Sequence, residues 1–276
     1  MSIRPKNVSR RVDLPVGSAD VLPRRAAAAW PKRTALRAGA RGLTFAQLDR
    51  AVSRLAFGLR AVLGGDGLPV VVSAAPGLDF PVALYAVLRS GNVASPVNPR
   101  MPTATVAGVL AALRPCAIVL DRAMYERVRP VLATQPGLEQ TILLDAPAGA
   151  GVLTCAELAD RGGLLVEPRD RDENELAVLA GHERLTHRRL KARAAAAAVA
   201  DELDARSVVL NAMPAYRTTH LGAGLAAGAT QILFANPDPA AAVREAERIG
   251  ATHLSLPDGR GVRLVRTGRS GLAVAS

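Results

Sequence analysis

The stretch 175–205, ELAVLAGHERLTHRRLKARAAAAAVADELDA, decides how the rest of the chain is read. Its apolar run, Leu176–Leu179, suits a strand buried on both faces. A short polar link covers Gly181–Arg184, and an alanine-rich segment, built of the best helix formers, runs on to Asp204. A strand feeding a helix N-terminus is a common phosphate site in α/β proteins, because unpaired backbone N–H groups and the helix dipole both favour an anion. Here the link is too short and too poor in glycine to wrap a phosphate.

Outward from that stretch the pattern alternates. Downstream, Val208–Ala212 reads as a strand, Leu221–Ala227 as a helix, Thr230–Phe234 as a strand and Pro239–Ile249 as a helix. Thr252–Leu256 and Val262–Val265 read as further strands. Upstream, strands are expected at Leu68–Ala74, Asn92–Ser95, Ala117–Leu120 and Gln140–Asp145, separated by helices at Asp79–Arg89, Thr103–Leu113 and Arg122–Leu132.

Two capping boxes mark helix starts. Thr44–Gln47 opens a helix that places Leu48, Val52, Leu55, Leu59 and Val62 on one face, and Thr154–Glu157 opens a short one. Before them come a short helix at Arg25–Trp30, a short strand at Thr34–Leu36 and a turn at Gly39–Gly42. Residues 1–25, rich in arginine and proline without a sustained period, read as a loosely held arm. The sequence shows no internal repeat. The fold class is α/β, with parallel sheets covered by helices on both faces. Residues 26–276 form the main body, with two subdomains expected to meet near 165–175.

Composition narrows the function. Hydrophobic residues make up 49% of the 276 but aromatics only 3%, so the core is alanine, valine and leucine. The net charge of +11 raises nucleic acid as a partner, but the arginines are scattered and no aromatic residues interleave with them to stack bases. Cys116 and Cys155 are too few for a disulfide framework and lack metal-ligand spacing. The N-terminus has charge without an apolar signal core, and Pro76, Gly77, Asp79 and Pro81 interrupt the longest apolar region. The expected location is cytoplasmic, with no membrane span.

Six segments, in order, resemble one family. They are LTFAQLDRAVSRLAFGLRAVLG (43–64), FPVALYAVLRSGNVASPVNPRMP (80–102), ELAVLAG with LTHRRL and the alanine-rich helix, VVLNAMPAYRTTHLGAGLAAGATQILF (208–234), ATHLSLP (251–257) and VRLVRTGRSGL (262–272). Together they resemble the N-terminal domain of AMP-forming acyl-CoA synthetases and related adenylating enzymes. The resemblance implies a partial acyl-adenylating fold. It also implies ATP or AMP, Mg and CoA as cofactors, if the family activity survives.

Departures from the family pattern carry the functional expectation. The family holds ATP phosphates with a Thr/Ser/Gly-rich loop between the strand and its "LTH", whereas here Ala180 passes through Gly181, His182, Glu183 and Arg184 straight to Leu185. Glu183 would repel a triphosphate. The family's "P-l-y-H-x-x-G" stands here as Pro214-Ala-Tyr216-Arg217-Thr-Thr-His220. The histidine has become Arg217, and His220 replaces a small residue and is expected to fill the acyl pocket. A short deletion is expected at Pro257–Gly261, and the chain stops at Ser276, before the segments that in the family carry the ribose-binding aspartate and catalytic lysine.

By resemblance the substrate-binding candidates are Tyr216, Arg217, His220 and Gly222, and the remnant nucleotide-binding positions are Thr186 and Gly268. No catalytic residue is assigned. Arg217 with His220 could hold a carboxylate or phosphate, since arginine pairs with either bidentately; the plainer and favoured reading, arginine being this chain's usual charged residue, places it at the surface. His182 with Glu183 reads as a polar turn, and no metal site is assigned. No serine sits in a G-x-S-x-G elbow.

The sequence therefore reads as a truncated, degenerate acyl-CoA synthetase relative, a pseudoenzyme unable to adenylate alone, with an accessory or regulatory role. The alternative is an acyl-activating ligase, turning a fatty or other carboxylic acid into acyl-AMP or acyl-CoA, completed by a separate chain. A third reading is a decaying product without a stable fold. A protein partner or self-association, through surfaces exposed by truncation, is the expected interaction.

Overall fold

The computed structural model describes residues 12, 14–73, 75–146, 152–161, 171–212, 217–236, 238–256, 261–266 and 272–274. The N-terminal elements are helix α1 (Val21–Ala29), strands β1 (Thr34–Ala38) and β2 (Arg41–Thr44), and helix α2 (Phe45–Leu63). Next come β3 (Pro69–Ser73), α3 (Asp79–Arg89), β4 (Val93–Pro96), α4 (Thr103–Leu113), β5 (Ala117–Leu120), α5 (Arg122–Leu132) and β6 (Gln140–Leu143). A short pair, β7 (Leu153–Thr154) and α6 (Cys155–Asp160), precedes β8 (Leu176–Ala180), β9 (Glu183–Thr186) and α7 (His187–Ala200). The remainder is β10 (Val208–Asn211), α8 (Thr218–Ala227), β11 (Thr230–Leu233), α9 (Pro239–Ile249), β12 (His253–Ser255), β13 (Gly261–Arg266) and β14 (Leu272–Val274).

These strands form two sheets. One has the order β7-β6-β5-β3-β4-β8-β9, the other β14-β13-β12-β10-β11-β1-β2. The first is parallel except where β9 folds back on β8. In the second, β12, β10, β11 and β1 run parallel, with antiparallel strands at both margins.

Strand periodicity explains the layering. Successive side chains point to opposite faces, so Val70 and Val72 enter the central core while Val71 joins Ile118 and Leu120 on the outer face. The central core holds α1, α2, α3, α7 and α8 together with inward residues of both sheets. Helices α4 and α5 cover the first sheet from outside through Val106, Leu110, Met124 and Val128. Helix α9 covers the second through Ala242 and Ala246, against Leu210 and Ile232. The expected class, parallel sheets with helices on both faces, holds.

Several local expectations change. Residues 18–25 are not a loose arm: Ser18, Ala19, Asp20 and Leu22 are buried, and α1 starts four residues before Arg25. Lys191 fastens this segment, its Nζ donating to the Pro15 carbonyl at 2.6 Å and pairing with Glu173 at 3.2 Å. Residues expected as a turn (39–42) and as a polar link (181–184) each supply part of an edge strand. The chain also contains a structural repeat, described with the cavity below.

Two buried polar groups organise the central layer. Arg89, 3% exposed, donates to Asp20 Oδ2 at 2.9 Å, Asp49 Oδ1 at 2.6 Å and Ser53 Oγ at 2.7 Å. It also reaches the backbone carbonyls of Asp20 and Asp49. Burial pushes the Asp20 carboxyl up, but Arg89 and Arg24 outweigh it and hold the group below its ordinary value. His187, also buried, accepts a hydrogen bond from the Ala19 N–H at Nδ1, 3.1 Å away. Burial lowers its pKa to about 4, helped by Arg171 and Lys191 and opposed by Asp20 and Glu175.

Replacing Arg89 by Met strands the buried Asp20 carboxylate and the half-buried one of Asp49. The expected loss is about 3–5 kcal/mol in urea unfolding, the usual cost of breaking a buried pair from one side. His187 gives a pH signature. Its folded pKa lies below the ordinary 6.5, so the unfolded chain binds more protons between pH 6.5 and 4. Stability from this group is full above pH 6.5 and falls as pH drops towards 4, by on the order of 2–3 kcal/mol. His187→Gln is expected to flatten that slope in unfolding midpoints measured across the window.

Candidate ligand-binding cavity

A cavity of about 1060 Å³ opens at the carboxyl ends of β4 and β8. In parallel α/β sheets this is where ligands bind, because the loops leaving the strands converge there. Its floor is the end of β4 and the following loop, from Ser95 to Asn98. One wall is α4, presenting Val109, Ala112 and Leu113; the others are the β8–β9 turn and the start of α8. Helix α4 carries no charge, and only Val106 and Leu110 on it are buried, so the wall facing the cavity is apolar.

The β8–β9 connection has simple geometry. Ala180 pairs with Glu183, leaving Gly181 and His182 as a two-residue turn. Gly181 takes φ +61°, which a glycine adopts without strain at the first central position of a tight hairpin. The same unit occurs at β1–β2: Ala38 pairs with Arg41, and Gly39 has φ +57°. Both hairpins end in a threonine N-cap, Thr44 and Thr186, with nearly identical backbone angles. The following amides also match, Phe45 N–H to the Arg33 carbonyl and His187 N–H to the Glu175 carbonyl. The segment between β8 and α7 is thus a plain hairpin, built like the one between β1 and α2.

The polar end of the cavity is mixed in charge. Arg217 is exposed at the N-cap of α8, and its own side chain makes no capping hydrogen bond to the first turn. His220, one turn on, places Nδ1 3.9 Å from Asp201 Oδ2. Burial raises the Asp201 carboxyl, and His220 and His253 partly offset it. Glu183 is engaged by Arg193 at 2.5 Å, a hydrogen bond that holds its carboxyl below the ordinary value.

Of the sequence-predicted site residues, the cavity brings together Arg217 and His220. His220 does not fill the space as expected: it lies in the wall, drawn to Asp201, and the cavity stays open. Gly222 faces α7, where a Cβ would come 2.9 Å from that of Ala194. Thr186 caps α7 by accepting from the Arg189 N–H. Tyr216 and Gly268 lie outside the described residues. Sequence reasoning missed His182 and Glu183 as lining groups and Asp201 as the partner of His220. Among the described residues no group of three His, Cys, Asp or Glu could hold a metal, and no helix is long and apolar enough to cross a membrane.

With this geometry in place, known proteins can be compared. The family model described as AMP-binding enzyme matches residues 23–268. The salicyl-AMP ligase / salicyl-S-ArCP synthetase of Mycobacterium tuberculosis is 29% identical over 255 residues, covering 84% of this chain and 45% of that protein. The apo MbtA structure from Mycobacterium smegmatis is 27% identical with a TM-score of 0.78, covering 88% of this chain and 48% of that one. A long-chain-fatty-acid-CoA ligase from Archaeoglobus fulgidus shares the fold at TM-score 0.80 and 19% identity, covering 91% and 53%. The chain spans about half the length of these relatives.

The place of Gly222 yields a test. Gly222→Val inserts a branched side chain between α7 and α8 and is expected to cost about 1–3 kcal/mol through overpacking. The check is the urea midpoint, with an unchanged slope showing that the loss is one of packing.

Proposed function

The chain belongs to the AMP-binding enzyme family, and from that premise we propose that it is a degenerate member that does not adenylate alone. On this reading it binds a carboxylic acid, or an acid already activated by another protein, in an accessory or regulatory role. The observation behind the proposal is the β8–β9 turn. Where the family resemblance calls for a phosphate-holding loop, the chain has Gly181 and His182 and then the carboxylate of Glu183. A triphosphate needs several converging backbone N–H groups and cations. The turn provides no hydroxyl and only a minimal stretch of backbone, so it does not fit that group. The described residues therefore support no step through ATP.

The cavity beside the turn suits a smaller anion. Arg217 offers a planar donor pair to a carboxylate, and the α4 wall offers apolar surface for the rest of an acid. The acids named for its relatives, salicylate and long-chain fatty acids, set the first panel. The second reading, an acyl-activating ligase completed by a separate chain, is favoured by the open cavity directly beside the hairpin. A protein partner belongs to both readings.

The test is ATP–pyrophosphate exchange by the purified chain with this acid panel, run beside calorimetric titration of the same acids and of ATP. Exchange is expected at background and ATP heat absent. An acid should bind, with affinity falling about tenfold in Arg217→Ala, the worth of one charged hydrogen bond. Exchange by the chain alone would overturn the proposal. Exchange that appears only with an added second protein would select the ligase reading.

A further inference from the structure

His220 lines the polar end of the cavity opposite the apolar α4 wall, and its partner Asp201 completes a titratable pair there. Asp201 is the C-cap of α7, and His220 lies in the first turn of α8. Their side chains are 17% and 13% exposed, so each is largely shielded from water. His220 Nδ1 is buried towards Asp201, while the residue itself lines the cavity. Nδ1 and the Asp201 carboxylate are within ion-pair range but too far apart for a hydrogen bond.

We propose that Asp201 and His220 act as a proton-linked anion receptor, so that an organic carboxylate enters the cavity together with one proton taken up by His220. This rests on the reading that the cavity holds a carboxylate. A neutral imidazole gives such a ligand at most one N–H. As imidazolium it carries a proton on both nitrogens, so one N–H can meet the ligand while the ring's charge stays within ion-pair range of Asp201. The proton comes from solvent, and the product is a carboxylate–imidazolium–carboxylate row with Arg217 flanking the bound anion.

The surrounding charges favour this arrangement. Asp201 sits in a site where burial disfavours its anionic form, so a neighbouring cation lowers the cost of holding it. His253, on β12, acts on the same carboxylate from behind, with Nδ1 2.8 Å from Thr252 Oγ1. On the hairpin, His182 lines the cavity, and Glu183 there is already engaged by Arg193. Arg217, on the same helix end, is a permanent cation that attracts the ligand. A bound carboxylate adds a second negative charge beside His220 and so favours its protonated form.

The experiment uses octanoate as probe, with octanol as its neutral counterpart, and the full chain between pH 6 and 8. Histidine signals are followed by NMR through a pH titration, and octanoate heats are measured in two buffers of unlike ionisation enthalpy. The expected result is uptake of close to one proton per octanoate and affinity falling about tenfold per pH unit above the His220 midpoint. Octanol should show neither effect. Asp201→Asn should lower the His220 midpoint, and His220→Gln, checked for folding by circular dichroism, should abolish proton uptake. Octanoate binding without proton uptake at constant affinity would overturn this inference and leave the carboxylate reading standing. Failure to bind at any pH would overturn both. A His220 midpoint unmoved by Asp201→Asn would overturn the pair whatever octanoate does.

Discussion

The guanidinium of Arg89 is the constraint on which the central layer depends. Alanines stand at many of that layer's helix contacts, with Ala26, Ala56, Ala83, Ala86 and Ala194 fully buried. Contacts between such small apolar groups are non-directional, and helices packed on them can slide or rotate at little cost. Arg89 removes that freedom, because its planar donors bind Asp20 ahead of α1 and Asp49 and Ser53 on α2 from a base on α3. Burying the Arg89–Asp20 pair requires this completeness, since a donor or carboxylate left over would cost more than the cluster returns. The consequence reaches the cavity. Helix α3 leads directly into β4, which forms the floor, and α1 holds α8 through Arg25, which donates to the Ala226 carbonyl at 3.0 Å.

The hairpin–helix unit occurs twice, and only one copy was legible from sequence. Thr44 announces its helix because Gln47 completes a reciprocal capping box. Thr186 has Arg189 at the matching position, so its cap is only half of that signature and the residue was read instead as a nucleotide contact. Strands β2 and β9 were missed for one shared reason. Both are edge strands whose first two residues are exposed, and β9 buries only Leu185. An edge strand with a polar free face carries no alternation to read. Buried strands such as β3 and β5 are continuous apolar runs bounded by turns, and these were legible to within a residue or two.

The cavity was partly legible for a different reason. Arg217 and His220 were found by motif resemblance, which marks positions along the chain but not what faces them. Asp201 lies at the far end of α7, and only the packing of α7 on α8 brings it to His220. Gly222 shows the opposite error. A glycine that admits a ligand and a glycine that admits another helix look the same in sequence, and here the close approach of Ala194 accounts for it. That His220 would block the cavity was a judgement from volume. It omitted the buried carboxylate that gives the imidazole somewhere to turn.

The departures from the family pattern run in two opposite electrostatic directions. A triphosphate needs a loop of converging amides, and on the proposed reading the tight hairpin at Gly181–His182, with its adjacent carboxylate, stands in that loop's place. Arg217 and His220 move in the other sense, adding a permanent cation and a conditional one at the first turn of α8. On the proposed reading, charge capacity has moved from the hairpin to the helix and shrunk from a polyanion's requirement to a monoanion's. A site with one arginine and one protonatable histidine can balance a single carboxylate in a partly apolar cavity, where an unbalanced charge would be costly. The same site would leave most of a triphosphate uncompensated, so on that reading loss of the loop is physically consistent with an arginine at 217 in place of the family's histidine and a histidine at 220 in place of a small residue.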